Sequence, residues 1–462
     1  MEQTYFCVHG HFYQPPREDP QLDAIPTEDG AAPYPNWNER IYHECYLPNT
    51  VQANFERISF NIGPTLINWL SRSHADTLRA IIQQENRVYR RTGLSNAIAQ
   101  PYFHAILPLL RRREKETLVR WGIDHYTRHF GHAPHGMWLP ETAVDLESLD
   151  VLAESGIRFT ILAPWQAQDP SLDITQPYRV ALPGGKDIIV FFYNSFLSSE
   201  ISFNTSATMD ADAFIEDWLA PQARAMRRGH PRLLMGASDG ELYGHHMPER
   251  EQFLHYLMTS ALAQHGYTPA FPAQWLRDFP PAQTARINEN TSWSCHHGIE
   301  RWRDVCGDAP HAYWKKPLRI FLDQLGRALD KAFEQQANGL VRDPWLLRDA
   351  YGAVLAGEAK VDDLINAHAS SALSSEDRER LSHLLAMQAE RLRMHSSDAW
   401  FFFDFDSLEP LNALKYAAHA VQLLMHAGGE DISRPLLPIL APAVSEKTGL
   451  TGDQAFRDIL RA

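Results

Sequence analysis

The sequence predicts an α/β barrel followed by an α-helical domain, and three observations support this prediction. Seven short apolar segments of strand length recur within the first 300 residues, separated by helix-like patterns. Two of these segments stop at an acidic residue, which is how parallel barrels deliver functional groups to one end. Beyond residue 311 the pattern changes to long amphipathic segments with hardly any strand.

The predicted strands are short runs of the apolar residues that buried parallel strands favour. They cover residues 5–9, 58–62, 97–102, 135–139, 159–163, 188–193 and 233–237. Helical patterns run from Pro101 toward Tyr126, over residues 144–154 and over residues 248–265. Pro248 begins the last of these and Gly266 follows it, which is the usual punctuation of a helix. We expect a closed barrel rather than an open sheet.

The C-terminal part predicts a bundle of helices. Amphipathic patterns cover residues 313–336, 344–356, 375–394, 410–427 and 453–460. No period of about 20 to 50 residues repeats, which argues against a solenoid. We therefore divide the chain into a catalytic barrel over residues 1–305 and an α-helical domain over residues 306–462, which packs on the barrel and contributes to its cleft.

Composition excludes several classes of protein. The 462 residues are 44% hydrophobic and 22% charged, with a formal net charge of -14 and no dense Lys/Arg stripe, so we expect no nucleic-acid partner. No apolar run reaches the roughly 18 residues that spanning a bilayer needs, and the first eight residues do not resemble a signal peptide. Four scattered cysteines fit free thiols, so we expect a cytoplasmic location.

Two acids at predicted strand ends are the best candidates for chemistry. Glu141 follows one apolar segment and Asp239 follows another. Hydrolysis of an acetal needs an acid to protonate the leaving oxygen and a second carboxylate that attacks the anomeric carbon or activates water. Trp138 could pack on a sugar and shift the pKa of Glu141, while Glu241 would support Asp239. The simpler alternative is that Glu141 is a favourable charge at a helix N-terminus.

Further polar segments could bind a ligand. His9 and His11 end the first strand and could bind a metal or a substrate hydroxyl, or they could hold the loop that follows. Residues 95–104 end at His104, which could face a cleft. Residues 288–302 combine polar side chains with tryptophan, as a sugar subsite or a protein contact requires. The aromatic segment 398–406 could join the domains or offer Trp400 to a sugar.

A zinc site near residue 295 is the remaining possibility that the motifs raise. Cys295, His296 and His297, together with Cys306, offer suitable ligands. Their spacing matches no standard zinc finger. We therefore predict no metal there.

Five of these segments, taken in chain order, resemble the five sequence regions of glycoside hydrolase family 57. They contain the pair His9 and His11, residues 95–104, Glu141, Asp239 and residues 288–302. The resemblance is in particular to a branch of the family with an extra helical region. Residues 9–15 are similar to the His-Gln-Pro region with two residues inserted, and residues 96–104 are similar to the second region. Residues 138–141 resemble the third region, whose Glu is the nucleophile. Residues 239–245 resemble the fourth, whose Asp is the general acid/base. The segment around Trp293 and His297 resembles the fifth.

The resemblance implies a distorted (β/α)7 TIM-like barrel with an associated helical bundle and no cofactor or obligatory metal. It also implies a retaining double displacement on α-linked glycans, with Glu141 as nucleophile, Asp239 as general acid/base and α-1,4-glucan as the expected substrate. Activity of the α-amylase or the 4-α-glucanotransferase type would follow, depending on whether water or a sugar is the acceptor. The substrate-binding residues implied are His9, His11, Gln14, His104, Trp138, Glu241, His245, Trp293, His297 and Trp400.

Two other functions stay open at this stage. In a metal-dependent carbohydrate deacetylase or mannosidase-like hydrolase, a divalent ion held by His9, His11, His104 and Asp239 would activate water. In a non-catalytic glycan-binding protein, the barrel would persist without turnover. An oligo- or polysaccharide is the expected partner in each case, and the sequence does not indicate an oligomeric state.

Overall fold

The computed structural model describes residues 3–22, 24–226 and 229–461. The chain forms two compact units, each made of three segments. The first unit consists of Met1–Gln14, Thr27–Gln100 and His129–Trp293, and the second of Pro15–Pro26, Pro101–Arg128 and Ser294–Ala462. The second unit thus takes in two segments from the first 130 residues as well as the C-terminal helices. The division at residue 305 into a catalytic barrel and an α-helical domain stays a prediction.

The strands of the first unit are short and mostly buried. They are β1 (Thr4–Phe12), β2 (Ser59–Ile62), β3 (Phe159–Leu162), β4 (Tyr178–Ala181), β5 (Asp187–Phe192), β6 (Arg232–Asp239), β7 (Tyr267–Pro269) and β8 (Thr284–Ala285). β1 lies between β2 and β6 in parallel register, and β3 is parallel to β5. Because buried parallel strands contact protein on both faces, they read as the nearly continuous apolar runs seen in the sequence.

Four further pairings link these strands into a ring. They are the parallel bridges Phe60–Ala97, Ala99–Met137 and Gly136–Phe159, and a 2.7 Å hydrogen bond from Asn194 N to Met235 O that returns from the end of β5 to β6. All seven predicted strand segments therefore lie in one parallel barrel. The barrel and its helical C-terminal region confirm the predicted fold class. β4 was not predicted because it alternates buried and exposed residues instead of forming a continuous apolar run, and β7 and β8 were not predicted because they have only three and two residues.

Helices surround the barrel and make up most of the second unit. They are α1 (Trp37–Ile41), α2 (Leu47–Val51), α3 (Pro64–Ser73), α4 (Ala75–Thr92), α5 (Arg112–Phe130), α6 (Leu146–Glu154), α7 (Ser195–Phe203), α8 (Ala211–Ala213), α9 (Ala220–Ala225), α10 (Arg250–Tyr256), α11 (Leu262–Gln264), α12 (Pro272–Asp278), α13 (Lys315–Ala337), α14 (Pro344–Ala350), α15 (Gly352–Leu355), α16 (Val361–His368), α17 (Ser375–Arg393), α18 (Leu408–His426), α19 (Leu437–Leu440) and α20 (Gly452–Arg461). Each helical pattern in the C-terminal sequence corresponds to one or two of these helices. Among the described residues, none of the helices has the length and apolar character needed to cross a bilayer.

The strand register brings chemistry-bearing residues to one end of the barrel. His11 on β1 lies opposite Asp239 on β6, and both are at or near the C-terminal ends of their strands. His9 lies two residues earlier on β1, so its side chain shares a face with that of His11. Glu141 follows the barrel segment that contains Met137. Enzymes built on a parallel barrel carry their active sites at the carboxyl ends of the strands.

Gly244 lies in the turn that follows β6, and its backbone should be intolerant of a side chain. Its φ is +130°, and a Cβ there would lie 2.0 Å from the backbone oxygen of Glu44. We expect Gly244→Ala to lower the free energy of unfolding by more than about 3 kcal/mol. Gly93 is the matched control, because its φ is +71° but a Cβ would meet nothing within 4 Å. Gly93→Ala should cost only about 1–2 kcal/mol, and equal losses in denaturant melts would contradict the role of the clash.

Candidate active site

Glu141 is held in an unusual backbone conformation. It lies in the short 3-10 turn Pro140–Thr142 with φ at +56°, and Thr142 follows with φ at +49°. Non-glycine residues rarely adopt this region, and each such residue costs about 1–3 kcal/mol and persists only where its surroundings impose the conformation. Trp293 does so through two hydrogen bonds, from its backbone N to Glu141 O at 3.0 Å and from Nε1 to Oε2 at 2.9 Å. The carboxylate of Glu141 is therefore fixed in direction.

Trp138 forms the centre of an aromatic cluster beside Glu141. Its ring stacks on His9 and His11 at centroid distances of 4.9 and 5.2 Å, and Trp293 meets it edge-on at 4.9 Å. The side chain is fully buried, and its indole N–H has no hydrogen-bond partner among the described residues. In this arrangement Trp138 supports the imidazoles and Trp293. Direct contact between Trp138 and a sugar stays a prediction.

His9 and His11 belong to a buried polar network on β1 and β2. His9 Nδ1 lies 2.9 Å from Ser59 Oγ, and His9 Nε2 lies 3.2 Å from Asn61 Oδ1. Asn61 Nδ2 lies 2.9 Å from His11 Nδ1 and donates to Gln100 Oε1 at 2.8 Å. Because Asn61 Oδ1 is an acceptor, the contact with His9 places a ring hydrogen on Nε2 of His9. Burial lowers the pKa of His9 to about 3 and that of His11 to about 4, so both rings are neutral at pH 7.

Asp239 and Glu241 differ sharply in their surroundings. Asp239 ends β6 with its side chain open to solvent, whereas Glu241 is buried two residues later. Protein atoms nevertheless displace much of the hydration of Asp239, and this desolvation raises its pKa from 3.8 to about 6. Burial, and then the nearby charge of Asp239, raise the pKa of Glu241 to about 8. Both carboxyl groups can therefore hold a proton at a pH where an ordinary carboxyl group is ionised.

Glu241 organises the loop that follows β1. Its Oε1 accepts hydrogen bonds from Tyr13 N at 3.0 Å and from the Tyr46 hydroxyl at 2.7 Å. Gln14 Nε2 in turn donates to the Tyr46 oxygen at 3.0 Å. The Tyr46 hydroxyl thus connects the side chains of Gln14 and Glu241 through two hydrogen bonds. Their direct contact with substrate stays a prediction.

His245 is paired with an acid from a different part of the first unit. Its Nδ1 lies within hydrogen-bonding distance of Glu44 Oε2, and Trp37 meets the imidazole ring edge-on. Asn49 Nδ2 donates to Tyr243 O at 2.7 Å and anchors the same turn. His245 is therefore held at the side of the Asp239 loop, and its role in binding substrate stays a prediction.

Three of the predicted site residues lie in the second unit. His104 is buried with φ at +54°, and its Nδ1 lies 2.7 Å from Ser397 Oγ. Trp400 is buried and stacks on Trp314 at a centroid distance of 6.1 Å. His297 is exposed beside Asp308. Substrate contacts by His104, His297 and Trp400 stay predictions.

Several residues that shape the site were not predicted from the sequence. Tyr46, Asn61 and Glu44 each hydrogen-bond a predicted site residue across 40 or more positions of the chain. Asn61 offered a signal, because it is a polar residue inside an apolar strand one position from its end. Tyr46 lies in the π-helical turn Tyr42–Tyr46, and Glu44 lies in the same turn. A π-helical turn has no sequence period by which it could be found.

A parallel barrel with one acid at the end of a strand and a second acid in the turn beyond another strand has the architecture of a glycosidase barrel. The sequence model of glycosyl hydrolase family 57 matches residues 16–288. The chain belongs to this family. Residues 311–461 match a separate model described as a domain of unknown function, DUF3536.

Individual relatives are distant. The alpha-amylase of Pyrococcus horikoshii is 23% identical over 162 residues, which are 33% of this chain and 24% of that protein. The chain therefore aligns with about a quarter of the length of that curated relative. It does not align with the rest of the amylase.

Solved structures of similar fold cover nearly the whole chain. An exo-type maltose-forming amylase from Pyrococcus sp. ST04 has a TM-score of 0.75 at 16% identity, covering 99% of this chain and 88% of that one. A family 57 branching enzyme from Thermococcus kodakaraensis has a TM-score of 0.65 at 16% identity, covering 97% of this chain and 96% of that one. At these identities the likeness establishes the fold alone.

Proposed function

We propose that this chain is a retaining hydrolase or transglycosylase of α-glucans, with α-1,4-linked glucan as its substrate. The observation that carries the proposal is the contrast between two acids. Glu141 is oriented by an indole N–H, while the pKa of Asp239 is raised to about 6. A retaining glycosidase needs one ionised carboxylate as nucleophile and one carboxyl that can donate a proton. Membership of a glycosyl hydrolase family supports the same assignment.

In the first step Glu141 attacks the anomeric carbon while Asp239 protonates the leaving oxygen. The bond between the anomeric carbon and that oxygen breaks, and a covalent glycosyl-enzyme forms. The N–H of Trp293 stabilises the negative charge on Glu141 before attack and keeps one carboxylate oxygen in place. We propose that the neutral imidazole of His11, which lies opposite Asp239 in register, contacts a substrate hydroxyl.

In the second step Asp239 accepts a proton from the incoming acceptor, whose oxygen displaces Glu141. Water as acceptor gives hydrolysis, and a sugar hydroxyl gives transfer. The two inversions restore the α configuration. The solved relatives include an amylase and a branching enzyme by name, so both outcomes occur among proteins of this fold.

A metal-dependent hydrolase is less well supported. Both ring nitrogens of His9 are engaged by Ser59 and Asn61, and His11 Nδ1 is engaged by Asn61. These hydrogen bonds would have to break before His9 could ligate an ion.

The free state of all four cysteines is the observation that supports the expected cytoplasmic location.

The proposal is tested by following the products of maltooligosaccharides, amylose and an α-galactoside by chromatography. Redistributed chain lengths would indicate transfer, and shortened chains with free glucose would indicate hydrolysis. Proton NMR of the first product should show the α anomer before mutarotation. A β anomer would refute the double displacement, and no change with any substrate, matched by the Glu141→Ala variant, would favour a glycan-binding protein.

Trp293→Phe should lower kcat by roughly 10-fold to 100-fold, because a hydrogen bond to a charged group contributes about 1.5–3 kcal/mol. The phenyl ring keeps much of the packing against Trp138, so KM should change little. Trp218→Phe is the matched control, since Trp218 lies in the surface turn Phe214–Leu219. Steady-state kinetics of both variants give the comparison. A rise in KM with unchanged kcat would show that Trp293 acts in binding rather than in positioning Glu141.

A further inference from the structure

Four potential metal ligands converge in the loop that precedes α13 in the second unit. Cys295, His297, Cys306 and Asp308 each offer one ligand atom, and these atoms all lie within 4.8 Å of one another. The two cysteines are buried, whereas His297 is exposed and Asp308 is partly buried. The ligands form two pairs, Cys-x-His and Cys-x-Asp, and each pair places its two side chains two residues apart.

We propose that Cys295, His297, Cys306 and Asp308 bind one zinc ion in a tetrahedral structural site. Thiolate, imidazole and carboxylate are the donors that zinc prefers, and structural zinc sites use four protein ligands. Two thiols beside an imidazole disfavour the hard cations calcium and magnesium, which take oxygen ligands. The zinc site does not depend on the proposed glycosidase chemistry, and ligation by His297 would replace the contact with substrate that was predicted for this residue.

The loop is shaped around these side chains. Gly307 lies between the ligands Cys306 and Asp308, and a Cβ there would lie 2.6 Å from Cε1 of His297. A side chain at position 307 would push the imidazole away from the cluster. Arg301 Nη2 lies 3.3 Å from Asp308 Oδ2 and so orients the carboxylate. A charged partner of this kind is typical of the groups that surround metal ligands.

A buried lysine supplies an independent indication of negative charge at this place. The side chain of Lys315 is buried, and its Nζ has no hydrogen-bond partner among the described residues. Its charge interacts with Cys306, Cys295 and Asp308. Burying an ammonium group without a counter-charge is unfavourable. Lys315 and Arg301 together place positive charge beside the two thiols and the carboxylate, and this charge offsets the negative charge that the four ligands would carry.

A zinc site was not predicted from the sequence, because the spacing of the cysteines and histidines matches no standard zinc finger. The fourth ligand, Asp308, lies outside the cysteine and histidine motif, and the fold of the loop brings it in. His296, the neighbour of His297, does not belong to the cluster. A zinc ion would tie residues 295 and 308 together just before α13 begins at Lys315.

The test is the zinc content of the full-length protein, purified without chelators and measured by inductively coupled plasma mass spectrometry. We expect about one zinc per chain in the wild type. Cys295→Ser and Cys306→Ser should lose the metal. His311→Ala is the matched control, because His311 is an exposed residue of the same loop and lies outside the cluster, and this variant should keep the metal.

A second measurement guards against variants that fail to fold. Wild-type protein stripped of metal and titrated with cobalt(II) should show thiolate-to-cobalt charge transfer and the visible bands of tetrahedral cobalt. Zinc should displace the cobalt and raise the melting temperature. Zinc far below one per chain together with the absence of the cobalt bands would overturn the proposal. So would a Cys295–Cys306 disulfide, detected as a loss of two hydrogens by intact mass.

Discussion

Replacing Glu141 with glutamine should lower kcat on maltooligosaccharides by at least about 1000-fold, since removing a covalent nucleophile eliminates the step that divides the reaction in two. Glutamine keeps the shape of the side chain, and its carbonyl oxygen can still accept the N–H of Trp293. KM and melting temperature should therefore stay close to those of the wild type. The measurement is steady-state kinetics, supported by thermal unfolding of both proteins.

Two controls make this result specific to Glu141. Glu216 is an exposed acid in the surface turn Phe214–Leu219, so Glu216→Gln should retain wild-type activity. Azide added to Glu141→Ala should restore part of the activity by attacking the anomeric carbon in place of the carboxylate, with a β-glycosyl azide as product. Full activity in Glu141→Gln would mean that another group is the nucleophile and would refute the assignment.

The barrel could be predicted because its physics is local in sequence. Buried parallel strands must be apolar on both faces, so each appears as a short hydrophobic run that stops at the active end. The segments around Ala97 and Met137 form only single bridges on each side, yet their apolar character was enough to place them. The acids followed from the same rule, since Asp239 ends β6 and Glu141 stands in the turn beyond a strand.

What could not be predicted depends on contacts between distant residues. The π-helical turn that carries Tyr46 has no sequence period, and only the folded chain brings its hydroxyl to Glu241. Trp138 shows a different limit. Its nearness to Glu141 in sequence suggested a sugar contact, whereas in the fold its ring stacks on His9 and His11 and meets Trp293 edge-on.

Asp239→Asn should lower kcat by about 100-fold to 10,000-fold on substrates whose leaving group needs a proton. An activated aryl glycoside leaves without protonation, so its first step should be affected much less. Asp217→Asn is the matched control, because Asp217 is exposed in the turn Phe214–Leu219. Equal losses on both substrates would argue that Asp239 positions substrate rather than transferring a proton.

The pH profile of kcat/KM of the wild-type protein should show the ionisation of Asp239. Because the pKa of Asp239 is about 6, kcat/KM should fall above that pH as the acid loses its proton. Glu241 has a pKa of about 8 and is still protonated while Asp239 titrates. Glu241→Gln should therefore leave the limb near pH 6 in place. A limb that disappears in Glu241→Gln would assign the titration to Glu241 instead.

The free energy of unfolding should fall as the pH rises through the pKa of Asp239, whereas a carboxyl group with a lowered pKa gives the opposite dependence. Desolvation raises the folded-state pKa of Asp239 above its ordinary value, so the folded protein binds this proton more tightly than the unfolded chain does. The stabilising effect of the proton bound to Asp239 is complete below about pH 4 and is lost as the pH rises through 6. Asp239→Asn should therefore raise the melting temperature at pH 8 more than at pH 4. A variant that is inactive yet more stable would mark Asp239 as a residue retained for chemistry at the expense of stability.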